Sequence, residues 1–180
     1  MADKTVRGPF GTEKGITAVN VGTVASGCSV VEYGDGCFHQ SVITVATTLP
    51  DITSATTLGV GTLVYTFPAG AVDVKAAYMS MALTQTDANI TADTPDIGVG
   101  TVIGTDTSGT LNGGTMENII GGQTASDCNG TATVIYEANS LVRATGAAHT
   151  VYFNAADDWA GSDAECGIAG TIMIEWTFVV

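Results

Sequence analysis

The strongest constraint in this sequence is a period of two. Near the C-terminus Ile172, Ile174, Trp176 and Phe178 alternate with Thr171, Met173, Glu175 and Thr177, which sets the two groups on opposite faces of a half-buried strand. Leu63, Tyr65 and Phe67 repeat the pattern against Thr62, Val64 and Thr66. Pro68-Ala69-Gly70 then stops it, because proline lacks the N–H that a ladder needs. Val72, Val74 and Ala76 alternate with Asp73 and Lys75, after which the apolar phase passes to Met79, Met81 and Leu83. That phase change predicts a bulge near Ala77.

Further strands are predicted over 16–24, 28–33, 37–47, 97–104, 131–136 and 150–154, punctuated by Asp35-Gly36, Asn112-Gly113-Gly114 and Asn129-Gly130. The chain uses 28 Thr and 23 Gly in 180 residues, and strong helix formers are scarce. Residues 137–144 are the one helix-compatible stretch. The predicted class is all-β: an antiparallel jelly-roll-type β-sandwich with an extended N-terminal arm. Residues 1–27 form the arm and first strand, and 28–180 form one β-sandwich domain. Residues 50–57 and 105–127, rich in Thr, Ser, Asp and Gly, are expected to be long exposed loops, where contacts concentrate.

Charge narrows the function classes. Eighteen acids against five Lys plus Arg give a net charge of −13, which repels a phosphate backbone and an anionic bilayer alike, so neither a nucleic-acid nor a membrane partner is expected. No secretory signal is read in MADKTVRGPFG, and no apolar run reaches the roughly 18 residues that cross a bilayer, so a soluble, non-exported protein is expected. Residues 1–14 carry +1 and the rest −14. The arm (Lys4, Arg7, Pro9, Phe10) reads either as a partner-contact segment that docks by strand addition or as a frayed terminus.

Motifs for chemistry are weak. Gly98-Val-Gly100-Thr-Val-Ile-Gly104 imitates a dinucleotide fingerprint, but Thr105, Asp106, Thr107, Ser108 and Gly109 follow it, and these do not open the helix that fingerprint requires. Gly-Val-Gly-Thr occurs at 59–62 and again at 98–101 with unmatched flanks and reads as an effect of composition. Asn89-Ile-Thr91 and Asn129-Gly-Thr131 are chance sequons in a threonine-rich chain. His39 and His149 are both explained by strand positions, and His39 with Cys37 lacks a third orienting group.

Asp157, Asp158, Asp163 and Glu165 offer hard oxygen ligands for calcium without the spacing of a known loop, and a solvated turn is the alternative. No cofactor is expected. Cys28, Cys37, Cys128 and Cys166 contain no C-x-x-C unit. Cys28 and Cys37 flank a predicted hairpin and could bridge across it, or all four thiols stay reduced.

Five segments in order, His39-Gln-Ser-Val-Ile-Thr-Val, Leu63-Val-Tyr-Thr-Phe-Pro-Ala-Gly70, Ile97-Gly-Val-Gly-Thr-Val-Ile-Gly-Thr105, Val151-Tyr-Phe-Asn-Ala-Ala-Asp-Asp158 and Gly170-Thr-Ile-Met-Ile-Glu-Trp176, together resemble tailed-bacteriophage virion structural proteins of the head decoration (cement) type. The resemblance runs from residue 39 onward and leaves the first 38 residues unmatched. It implies a jelly-roll protein made in the host cytoplasm that sits as a homotrimer on the outer capsid surface. Its partners would be the major capsid protein and copies of itself, and its role non-enzymatic bridging of capsomers. A tail or baseplate protein is the nearest variant. A carbohydrate- or receptor-binding β-sandwich with a concave aromatic face is the second class.

Overall fold

The computed structural model describes residues 22–34, 38–105, 108–111, 115–138, 143–144 and 149–179. Within them the chain is nearly all β, with a single short 3-10 turn at Ala88–Ile90. The strands are β1 (Thr23–Val24), β2 (Cys28–Gly34), β3 (Phe38–Thr48), β4 (Gly59–Thr66), β5 (Val72–Thr84), β6 (Asp96–Gly100), β7 (Ile120–Thr124), β8 (Asn129–Ala138), β9 (Arg143–Ala144), β10 (Thr150–Ala156) and β11 (Gly167–Phe178). They form an all-β sandwich of two antiparallel sheets. The first runs β1-β4-β10-β6-β7; the second runs β2-β3-β11-β5-β8, with β9 also on β5.

The period-two pattern explains the layering. Ile172, Ile174 and Trp176 of β11, Ile43 and Val45 of β3, and Met79 and Met81 of β5 face inward from the second sheet. Tyr65, Phe153, Val151 and Ile97 meet them from the first. Trp176 is the centre of this contact: Phe67 packs edge-on at 5.4 Å and Phe178 at 5.1 Å, while His39 stacks on it at 4.1 Å. Each such side chain stabilises by about 1.5–3 kcal/mol on burial, so the inner faces hold the sheets together more than strand propensity does.

Three expectations need correction. Residues 137–144 are not helical where described: β8 continues through Glu137 and Ala138, and β9 follows at 143–144, both paired to β5. Ladder pairing along β5 overrides a weak local preference. The strand expected over 97–104 ends at Gly100, where the chain leaves the sheet. Residues 105–127 contain β7, whose Ile120-Gly-Gly-Gln-Thr lacks the alternation that would have revealed it. The expected bulge is present but falls at Lys75, between Val74↔Trp176 and Ala76↔Glu175.

A buried polar chain ties the sheets across the core. Trp176 Nε1 donates to Ser41 Oγ at 2.8 Å, Ser41 Oγ donates to Glu32 Oε2 at 2.9 Å, and the Tyr65 hydroxyl donates to Glu32 Oε1 while accepting from the Gly22 N–H at 3.1 Å. Burial first, and then the hydrogen bond to the Glu32 carboxylate, hold the Tyr65 phenol well above its ordinary value of 10.0. A raised folded-state value stabilises the fold below the ordinary value, and that contribution is lost as pH rises past it. Alkaline titration is therefore expected to unfold the protein above about pH 10, with tyrosine absorbance at 295 nm rising in step with loss of circular dichroism. Tyr65→Phe should cost about 1–3 kcal/mol at pH 7 by stranding Glu32 Oε1 and the Gly22 N–H. Its alkaline limb should be shallower. An unchanged limb would place the alkaline transition elsewhere.

Candidate functional surfaces

A β-sandwich has two outer faces, and here they differ. On the first sheet, outward positions of neighbouring strands are occupied by glycines: Gly61 of β4 and Gly98 of β6 pair with Asn154 of β10 from either side. Gly59 and Gly100 extend this glycine floor. The described parts of residues 101–119 lie directly on it. A Cβ at Gly100 would sit 2.2 Å from the Met116 backbone, one at Gly59 2.1 Å from Thr105 O, and one at Gly98 2.8 Å from the Glu117 Cβ.

Asn154, wholly buried, clamps the segment from below. Its Oδ1 accepts from the Gly104 N–H at 2.7 Å, and its Nδ2 donates to Val102 O at 3.0 Å and Met116 O at 2.6 Å. The two Gly-Val-Gly-Thr copies are thus more than composition. They are the strand segments on either side of β10 whose missing Cβ atoms let a covering loop approach.

The outer face of the second sheet carries no such cover among the described residues. One row crosses all five strands in register: Val31, Val42, Met173, Tyr78, Tyr136. A second is Ser29, Thr44, Thr171, Ser80, Val134, and a third is four alanines, Ala46, Ala169, Ala82 and Ala132. In a fourth, Tyr33, Gln40, Glu175 and Ala76 lie side by side. Among the described side chains of these rows Glu175 is the one charge, and Gln40 Nε2 donates to it at 3.0 Å. Lys75, at the bulge beyond the last row, is ion-paired to Asp73. Val134 and Tyr136 are 62% and 66% exposed, the most open of the large apolar side chains among the described residues.

The calcium candidates do not share one role. Asp163 is buried, and its carboxylate accepts from Thr86 N at 2.6 Å, Thr86 Oγ1 at 2.7 Å, Asp87 N at 3.0 Å and Glu165 N at 2.8 Å. Burial alone would raise its pKa, but the Asp87 and Glu165 N–H groups and the Thr86 hydroxyl and N–H outweigh that and hold it below the ordinary range. Its backbone bridges Ile52, at 2.7 and 2.9 Å. The 50–57 loop is exposed over most of its length, as expected, and is pinned to the acidic stretch at the buried Ile52.

Asp157 is half-buried and shifted upward by burial, with the Asp93 and Asp158 carboxylates adding to the effect. Asp158 and Glu165 are exposed. Trp159 is buried and donates from Nε1 to Leu58 O at 3.1 Å. Among the described residues no group of three His, Cys, Asp or Glu side chains could hold a metal ion.

Lys4, Arg7, Pro9 and Phe10 lie outside the described residues, as does Cys37. The β2–β3 hairpin forms, but Cys28 pairs with Val45, seven residues past Phe38, so it stands at the end of the hairpin away from the turn. Cys28, Cys128 and Cys166 are free thiols. The buried Cys128 and Cys166 contact each other, and that hydrogen bond together with burial pushes the Cys128 thiol up. Thr84 pairs with Gly167 on one side and Asn129 on the other. The residues that follow the two cysteines thus flank β5 from either side. His39 is buried against Trp176, and His149 accepts the Phe67 N–H through its backbone oxygen. No helix among the described residues is long and apolar enough to cross a membrane.

No family model matches the chain, and no curated protein matches it. Among solved structures it is similar to a chain described as the cyanophage Pam1 capsid asymmetric unit. The identity is 14%, the match covers 79% of this chain and 87% of that one, and the TM-score is 0.45.

Proposed function

We propose that this chain is a structural protein of a tailed-phage virion, a decoration protein that binds the outer capsid surface and stabilises the head by bridging capsomers without catalysis. The observation that supports this most is where the five resembling segments fall. They are scattered between residues 39 and 176 in sequence, yet they occupy β3, β4, β6, β10 and β11. In space β3 lies beside β11, and β10 lies between β4 and β6. The resemblance thus follows the central strands of both sheets.

A jelly-roll wrap belongs to the same proposal. It is supported by the strand orders β3-β11-β5-β8 and β4-β10-β6-β7 in the two sheets. An acidic body has no affinity for packaged DNA, and binding energy multiplied over several copies would stabilise a shell.

The test is co-sedimentation of the purified protein with particles from a lysate that lacks it. Saturable binding at a fixed copy number per particle, with a higher particle melting temperature, is expected. Deletion of residues 2–14 then reports on the arm, and unchanged binding would remove it from the contact. Binding to tails alone would move the role to a tail or baseplate protein. Absence of binding to any particle would overturn the virion reading.

A second reading, a glycan- or receptor-binding sandwich, is favoured by Tyr33, Tyr78 and Tyr136 on one outer face. Saturable glycan binding abolished by chelation would support it.

A further inference from the structure

We propose that the outer face of the second sheet is the contact between two copies of this chain, related by a twofold axis that runs along β11 past Met173. The first argument is electrostatic. Each copy carries −13, so most approaches bring like charges together at a cost. The four rows on this face present one carboxylate among their described side chains, which makes this the surface where two copies meet with least repulsion.

The second argument is shape. In the apolar row the two tyrosines, Tyr78 and Tyr136, lie on one side of Met173, and the two valines, Val42 and Val31, lie on the other. A twofold axis along β11 reverses the row on the partner. Tyr136 then meets Val31, Tyr78 meets Val42, and Met173 meets its own copy. Large side chains oppose smaller ones on either side of the self-paired Met173, which makes the row self-complementary, as an isologous interface requires. The alanine row gives a flat shelf on which the two sheets approach closely.

The third argument is size. Five strands span about 24 Å and four rows about 27 Å, which gives roughly 650 Å² per copy. The pair would bury roughly 1,300 Å², inside the range of about 1,200–2,000 Å² for stable specific interfaces. The other outer face is unsuited to this, because the described parts of residues 101–119 occupy it.

Glu175 is the one element that opposes pairing, since the axis brings it near its own copy. The proposal does not rest on the virion reading. A monomer that decorates particles overturns the pairing alone, and a dimer that ignores particles overturns the virion reading alone.

Sedimentation equilibrium of the purified full chain, at about 1–100 µM, is expected to give twice the 18.2 kDa chain mass. Tyr136→Lys, at an open position, should weaken pairing roughly 100-fold with an unchanged far-ultraviolet spectrum. Val31→Glu should weaken it as well. The double variant should recover most of the loss, because each lysine would face a glutamate of the partner. Glu175→Gln should tighten the pair. A monomer throughout, a trimer indifferent to these changes, or a double variant no better than the singles would each overturn the proposal.

Discussion

Asn154→Ala should release the segment that covers the first sheet. The substitution strands the Gly104 N–H and the Val102 and Met116 carbonyls at a buried site, and each stranded group costs about 1–3 kcal/mol. A net loss of about 3–4 kcal/mol is expected after relaxation of the loop. Limited proteolysis should then cut within residues 101–119 while the strands stay protected. Asn154→Asp is the sharper comparison. A carboxylate keeps the shape and still accepts from Gly104, but it turns the donor toward Val102 and Met116 into an acceptor facing two carbonyl oxygens. It should destabilise at neutral pH about as much as alanine does and recover partly in acid, where it regains a proton. Equal protease resistance of wild type and both variants would show that the clamp does not hold the loop.

Asp163→Ala should be the second large loss, about 3–4 kcal/mol, because it removes the buried acceptor that the Thr86, Asp87 and Glu165 N–H groups share. This carboxylate is held below its ordinary value in the fold. Its contribution is therefore fully present above the unfolded value near 4 and is lost as pH falls through the lower folded value. Chemical denaturation at pH 7 and at pH 3 should show the wild type losing stability between them and the Asp163→Asn variant losing less. Parallel losses in the two proteins would assign the acid sensitivity to other carboxylates.

Much of the architecture is legible in the alternation of apolar residues, because an inward-facing row has to be apolar in every strand that crosses the core. Ile172, Ile174 and Trp176 therefore read correctly, as do Tyr65 and Phe67. The covering loop does not read from sequence, because its cause is an absence: Gly59, Gly61, Gly98 and Gly100 act through the Cβ atoms they lack, and Asn154 is one polar residue in a strand until its neighbours are known. Register hides the rest. Val31, Val42, Met173, Tyr78 and Tyr136 are spread over more than a hundred positions and become one row only when five strands are aligned. Asp163 looks like its acidic neighbours in sequence. Burial and four hydrogen bonds separate it from Asp158 and Glu165, and the contact of Cys128 with Cys166 depends on strand order in the same way.

The proposed role is tested most directly by locating the protein on particles. Immunogold electron microscopy with an antibody to this chain, applied to particles from a lysate in which it is expressed, should show regular labelling over the heads. Unlabelled particles would contradict the virion account, and labelling confined to tails would contradict its assignment to the capsid surface.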